Sequence, residues 1–503
     1  MNLVAPDVGG RSAPVQARLA ASALSRSHRR PSGAPAAAAG RAAHGAHTEP
    51  DVSVRWLARS AGRLRMAVDR VALDDLGGWS RDATTGNLGH RSGGFFSVEG
   101  MAVEAADGPV GSWSQPIIHQ PEVGILGILA KEFDGVLRFL LQAKAEPGNH
   151  NGVQLSPTVQ ATRSNYMRVH RGRPVPYLDY FRHASRHRVL VDVRQSEQGS
   201  WFFRKRNRNM VVEVTEEVEM RDGFRWLTLG EIHALLARDD TVNMDTRTVL
   251  GCLPVTGTDL TPMFDVPGSD RFRTALVRSC DPAAGALHDA TGVLSWITEA
   301  RTVTGIRARL VPLDEVEGWR RTAGRIHHRS GRFFEVIGVR VQAAGREVER
   351  WDQPMIRPVG TGVIAFLAGS IGGVLHVLAR ASAQPGYADV IELAPTVQCT
   401  PGNHEHLPAA ARPRFLEEVL GADEERIRFD AVLSEEGGRF FHARNRYVIV
   451  EVDPDAVAEP PGFRWLAPHQ LGELVRHGHY LNIEARSLLA CLHSLKSTAG
   501  SVK

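Results

Sequence analysis

The alternation of apolar and polar positions is written twice along this chain. An apolar run ends at Phe133, Asp134-Gly135 follows, and a second apolar run returns, which predicts a β-hairpin closed by a type I′ turn. The same pattern recurs about Gly372-Gly373. In the first returning strand Leu137, Phe139, Leu141, Ala143 and Ala145 take one face, while Arg138, Gln142, Lys144 and Glu146 take the other. The second copy carries His376, Arg380, Ser382 and Gln384 on that polar face, which reads equally as solvated surface or as a pocket wall. Further on, residues 189–193, a turn at Glu197-Gln198-Gly199-Ser200, Trp201-Phe202-Phe203 and residues 210–214 predict a strand meander. It returns through Phe440-Phe441 and Tyr447 to Val452. Helical periodicity falls near residues 177–184, 229–238 and 246–253.

Short motifs fix the register of the duplication. His90-Arg91-Ser92-Gly93-Gly94-Phe95-Phe96 returns as His328-Arg329-Ser330-Gly331-Arg332-Phe333-Phe334, and Pro157-Thr158-Val159-Gln160 as Pro395-Thr396-Val397-Gln398, both 238 residues later. That is a domain length, not a solenoid period. The expectation is α+β: two tandem modules with mostly antiparallel, strongly bent sheets at 51–254 and 292–494, joined by a connector at 255–291. Residues 1–50, rich in Ala, Arg, Ser, Gly and Pro, read as a disordered, dispensable tail.

Composition narrows the function classes. The net charge of +4 over 503 residues gives no global field for nucleic acid, and no run approaches the length of a membrane span. Four cysteines without paired spacing suit a reducing, cytoplasmic setting. No GxGxxG, Walker A, HExxH or Gly-x-Ser-x-Gly motif is present, which disfavours the usual oxidoreductases and hydrolases.

The polar candidates are read in pairs. The loop Thr162-Arg163-Ser164-Asn165-Tyr166 corresponds to Thr400-Pro401-Gly402-Asn403-His404, and a hydroxyl- and amide-rich loop after a strand suits a polar ligand as well as an ordinary turn. Ser196-Glu197 pairs with Ser434-Glu435, where a carboxylate in both copies reads as a general base, a ribose acceptor or a turn stabiliser. The basic run Arg204-Lys205-Arg206-Asn207-Arg208 is diluted in its partner His442-Ala443-Arg444-Asn445-Arg446, so a solvated strand face ranks first, a diphosphate contact second and nucleic acid third. Trp79 and Trp319 default to core.

The strings PTVQATRSNYMRVHR, from Pro157, and VDVRQSEQGSWFFRKRNRNMVVEV, from Val191, resemble the NDP-hexose 2,3-dehydratases of deoxysugar and antibiotic biosynthesis. The resemblance covers about residues 52–494. It implies a duplicated Nudix-like module without a Nudix box, a homodimer, and a nucleoside-diphosphate 4-keto-6-deoxyhexose substrate, typically dTDP-4-keto-6-deoxy-D-glucose. It also implies coupling to a downstream 3-ketoreductase. A C4 ketone already acidifies the C3 proton, so elimination of the C2 hydroxyl needs a positioned base and acid but no nicotinamide or metal. Motif by motif, the resemblance implies ligand contacts at Trp79, Thr162, Arg163, Ser164, Asn165, Tyr166 and Ser200 in the first copy. In the second it implies Trp319, Arg380, Thr400, Pro401, Gly402, Asn403, His404, Gly437, Gly438, Arg439 and Phe440. His404 departs from the family's commoner tyrosine. Tyr166, His170 and Glu197 are the candidates for moving a proton. A different reading is a nucleotide-sugar binding or scaffold protein that has lost catalysis.

Overall fold

The computed structural model describes residues 13–25, 51–105, 111–166, 174–264, 270–344, 348–405 and 412–497. Each repeat builds one seven-stranded sheet, and each of two smaller sheets has five strands. In the first large sheet Gly124–Phe133 and Val136–Ala145 form the expected hairpin, with Asp134 and Gly135 at φ of 50° and 78°. Two consecutive positive φ values are what a type I′ turn requires, and Gly372 and Gly373 repeat them at 59° and 78°. Most pairings are antiparallel, but Arg206–Glu213 runs parallel to Gly124–Phe133, as Arg444–Glu451 does to Gly362–Ile371.

The small sheets exchange strands between repeats. Met66–Val71 leaves its own module and pairs with Phe334–Ala343 of the second, while Ile306–Val311 pairs with Ser97–Ala105 of the first. The exchange is reciprocal, so neither small sheet is complete without the other half of the chain. Arg81 pairs with Asp314 and Arg321 with Asp74 across the same junction.

The repeats also share their centre. Helices Met244–Gly251 and Ile483–Ser494 pack so closely that a Cβ on Gly251 would overlap the Arg486 carbonyl oxygen. Arg247 and Arg486 are 0 % exposed and play matching parts. Arg247 donates to the carbonyls of Val242, at 2.7 Å, and Ser434, at 2.9 Å; Arg486 donates to those of Leu481, at 2.5 Å, and Ser196, at 2.6 Å. Each guanidinium therefore ties its helix to a strand end of the opposite repeat. Phe139 and Leu236 from one repeat and Phe366 and Leu489 from the other lie in one continuous apolar core.

Two local expectations are corrected. Trp201-Phe202-Phe203 is not a strand: Phe202 makes a single bridge to Ile118, and Phe440 does the same with Ile356, as the chain crosses between sheets. The segment expected to be a disordered tail contains a helix, Val15–Leu24, whose Arg18 is buried against Glu132 and Glu213. The burial of Leu19, Ala20 and Ala23 on one side explains why a segment of poor overall hydrophobicity docks. The connector is also structured in part, since helix Arg271–Arg278 places Phe272 and Leu276 in the shared core. Among the described residues no helix is long and apolar enough to cross a membrane.

Candidate active site

A cavity of about 470 Å³ opens at the junction of the first repeat with parts of the second. Its mouth is formed by Gly77, Trp79, His90 and Phe95 on one side and by Arg350, Trp351 and Asp352 on the other. The exchanged architecture holds these sides together: the Trp79 indole donates to the Asp352 carbonyl at 2.7 Å, and the Gly77 amide donates to the Asp352 carboxylate at 2.8 Å. Thr162, Asn165 and Gln160 line the wall.

The floor is charged. Lys144 and Glu146, from the polar face of the returning strand, line it together with Glu197, Lys205, Asn207 and Asp245. The second repeat adds Glu436, Gly438 and Arg439 from the crossing loop before Phe440. Glu146 is 6 % exposed, Glu197 3 % and Asp245 3 %, so these carboxyls sit largely out of water. Glu146 pairs with Lys144 at 3.3 Å, and its Oε1 accepts from Gln160 Nε2 at 3.0 Å. Its Oε2 is buried without a hydrogen-bond partner, as are Asp245 Oδ1, Glu436 Oε2 and Arg439 Nε. Groups of this kind are rare in a finished core and point to something that binds between them.

Burial sets the proton affinities of the floor. It pushes Asp245 well above the usual carboxylate range and Glu436 up to about 7, with neighbouring carboxylates adding to both shifts. Glu197 is raised for the same first reason, although Arg486, Lys205 and Asn207 pull the other way. Burial takes the Lys205 ammonium down to about 8, opposed by Glu197. The Lys205 Nζ donates to the Glu122 carbonyl, and the Arg439 guanidinium lies 4.3 Å over the Phe96 ring. The floor thus mixes proton-holding carboxyls with cations at near-neutral pH.

Several residues read from sequence converge here: Trp79, Thr162, Asn165, Glu197, Gly438 and Arg439 all border the cavity. Others do different work. Arg163 is exposed, Ser164 is bound to the Glu122 carboxylate, and Tyr166 packs against the apolar cluster around Phe181. His170 lies outside the described residues. The Ser200 hydroxyl of the first copy reaches Gln384 of the second at 3.4 Å, while Gly438 and Arg439 of the second copy line the first-repeat cavity, so the crossing loops serve opposite halves. Phe440 itself is core, and Gly437 backs onto Asn149. The backbone amide of Gly148 donates to the Gly437 carbonyl at 2.7 Å, with Gly386 and Gly199 as the reciprocal pair at 2.9 Å.

The remaining second-copy candidates do not line this cavity. Trp319 donates to the Ser114 carbonyl at 3.0 Å and packs on Phe334, and the Arg380 guanidinium reaches Ser382 at 3.3 Å. Thr400 precedes a 3-10 turn, Pro401–Asn403, which spans Gly402 and leads to His404. The Asn403 side chain accepts from the Phe333 amide at 3.1 Å, whereas in the first repeat Ser164 takes that part for Phe95 and Asn165 borders the cavity. The basic run is mostly structural: Arg208 makes a two-pronged pair with Asp192 at 2.6 and 2.5 Å, and Arg446 does so with Asp430 at 2.9 and 2.7 Å. Lys205 is the member that turns inward.

Glu146, Lys144, Asp245 and Glu436 were not singled out as site residues by sequence reading. The signal was present in the comparison of copies, since Lys144 faces Ser382, Glu146 faces Gln384, Lys205 faces Ala443 and Arg439 faces Trp201 at equivalent positions.

The family model for NDP-hexose 2,3-dehydratase matches residues 51–253 and again residues 290–492. A dTDP-4-dehydro-6-deoxy-alpha-D-glucopyranose 2,3-dehydratase of Saccharopolyspora spinosa is 53 % identical over 443 residues, covering 88 % of this chain and 90 % of the relative. Proteins of the same name from Amycolatopsis orientalis and Streptomyces violaceoruber are 50 % and 46 % identical, covering 87 % and 89 % of this chain and 89 % and 97 % of theirs. With both halves matched and identity sustained across most of its length, the chain belongs to the NDP-hexose 2,3-dehydratase family.

Proposed function

We propose that the first-repeat cavity binds dTDP-4-keto-6-deoxy-D-glucose and removes water across C2 and C3, giving a 3,4-diketo-2,6-dideoxy sugar. The relatives carry this activity in their names. The observation that carries the placement is the concentration of charge on one floor: Lys144, Glu146, Lys205 and Arg439 line the first-repeat cavity, while Ser382, Gln384, Ala443 and Trp201 stand at the equivalent positions. Loss of the C3 proton leaves an enolate conjugated to the C4 oxygen, and departure of the C2 hydroxyl as water completes the elimination. Such a sequence needs an ionised carboxylate, a protonated acid and cationic stabilisation of the enolate in a site shielded from water. Glu197 belongs to this carboxyl floor, held at Oε1 by Asn207 Nδ2 at 2.7 Å. Trp79, Thr162 and Asn165 nearer the mouth face the nucleotide, and the second-repeat residues Trp319, Arg380 and 400–404 form the related second contact region.

The same reading includes a homodimer, a Nudix-like ancestry for each repeat and a cytoplasmic setting. A 3-ketoreductase that consumes the reactive diketone suits the product chemistry. The test is incubation of the protein with dTDP-4-keto-6-deoxyglucose, a 3-ketoreductase and reduced nicotinamide. A 2,6-dideoxy sugar is expected from wild type and none from the variant K144S/E146Q/K205A, which copies the second repeat's floor. Tight binding of the sugar nucleotide by wild type without turnover would instead support a binding or scaffold role.

A further inference from the structure

We propose that the elimination is run by two carboxyls from opposite repeats: Glu146 is the base that takes the C3 proton, and Glu436 is the acid that protonates the departing C2 hydroxyl. The inference rests on the dehydratase reading and assigns its steps. Glu146 is anchored on one side only. Gln160 and Lys144 hold Oε1, while Oε2 is buried at the cavity without a partner, so one oxygen of a cation-paired carboxylate is directed at whatever binds.

Glu436 arrives from the other repeat, on a loop whose glycines let it approach. A Cβ on Gly438 would fall on the Glu436 carboxylate and lie 3.6 Å from Glu146 Oε1, so the two acids flank one point that only glycine leaves open. A Cβ on Gly437 would lie 3.0 Å from the Glu146 Cβ. The charged groups facing Glu436 are Arg439 on its own loop, Glu146 and Lys144 on the returning strand, Glu197 and Lys205 beyond the crossing, and Asp245 on the helix Met244–Gly251. Burial and these carboxylates raise Glu436 to about 7, against the pull of Arg439 and Lys144. A substantial fraction therefore carries its proton at neutral pH, the state an acid must start from.

The contrast between repeats selects the same two residues. Gln384 of the second repeat stands at the place of Glu146 and Gln198 of the first at the place of Glu436, so amides occupy both equivalent positions. Gln198 donates to Glu435 Oε2 at 2.9 Å, and Asn445 and Tyr447 donate to its Oε1 at 2.7 and 2.8 Å. Glu435 is saturated, in the way of a structural carboxylate.

The step balances. The C3–H electron pair enters the C3–C4 bond, with negative charge on O4, and the proton goes to Glu146. Collapse of the enolate forms the C2–C3 double bond and breaks the C2–O bond, and the Glu436 proton leaves with the hydroxyl as water. Ketonisation moves the O3 proton to C2, and proton return from Glu146 to Glu436 restores both.

The test separates the two halves of the reaction in D2O, following C3 deuterium incorporation and sugar product independently. E436Q is expected to keep C3 exchange within about threefold of wild type while elimination falls about 100-fold or more, whereas E146Q loses both by about 100-fold or more. Elimination by wild type should decline as pH rises through about 7, and that limb should be absent from the residual E436Q rate. Binding of dTDP within about threefold of wild type shows that the cavity is intact. If E436Q were misfolded, E436D reads the same point, with kcat lowered and KM and exchange held. Loss of exchange in E436Q, unchanged elimination in E436Q, or exchange surviving in E146Q each overturns the assignment. Absence of product from wild type would sink the dehydratase reading instead.

Discussion

The two repeats fold to the same plan and have charged their floors differently. At the seam they are near mirror images, with Arg247 and Arg486 each donating across to a strand-end carbonyl of the other half. At the polar positions beside the crossing loops the likeness ends. The first repeat has Lys144, Glu146 and Lys205 lining its cavity, and the second has Ser382, Gln384 and Ala443 at the equivalent positions, with Tyr387 buried where the first has Asn149. Trp201 meets Phe440 edge to face, ring centroids 4.5 Å apart, where its counterpart Arg439 extends into the first cavity. The lesson is that burial of a polar group is informative only against its saturation. Glu197 and Glu435 are equivalent and equally buried, yet one faces an open cavity and the other is closed in by three donors.

The comparison breaks most sharply at Lys205. Lys205→Ala copies the second repeat and should lower kcat about 100-fold, roughly 2.7 kcal/mol of barrier, with the thermal transition little changed. A loss below threefold would show that the charge difference between floors is incidental. The likeness at the seam is tested by Arg247→Met and Arg486→Met. Each strands buried carbonyls, at about 1–3 kcal/mol per group left unsatisfied, and the two urea midpoints should fall by similar amounts. Unequal losses would mean that the pseudo-symmetry of the seam is only geometric.

A smaller effect follows from pH. Burial raises Glu484, the second-repeat counterpart of Asp245, to about 8. Because the folded value lies above the ordinary one, its contribution to stability is complete below about pH 4.5 and is lost as pH rises towards 8. Thermal transitions of wild type should therefore fall between pH 5 and 8, and those of Glu484→Gln should fall less. The smallest change is expected from Ser382→Lys at the second floor, with kcat within about twofold of wild type. A larger loss would place that repeat in the chemistry.

Much of the plan was legible in sequence because hairpin turns and alternating strands are local signals. The Asp134-Gly135 turn, the helix near residue 229 and the polar face bearing Lys144 and Glu146 were each written in contiguous residues. The strand exchange was not, since Met66–Val71 has the same alternation whichever sheet receives it. For the same reason the crossing of Glu436 and Arg439 into the first cavity was hidden: a loop's composition does not say which module it serves. The Asn165/Asn403 pairing looked like shared ligand chemistry, but Asn403 is occupied in holding the Phe333 amide. The dense basic run misled in the other direction, because Arg208 is neutralised by Asp192 on the neighbouring strand, as Arg446 is by Asp430 in the second copy, and Arg204 lies over the Phe203 ring.

Reciprocal strand exchange inside one polypeptide has a consequence for how such a chain can change. In an assembly of two identical subunits, every substitution appears in both sites at once, so a loop cannot acquire a bulky tryptophan on one side and an arginine on the other. Here the two crossing loops are separate stretches of sequence, Trp201 in one and Arg439 in the other, though each completes its neighbour's half. Covalent linkage lets one half stiffen the scaffold while the other remains open to chemistry, and the interlocked strands keep the two from drifting apart as they diverge.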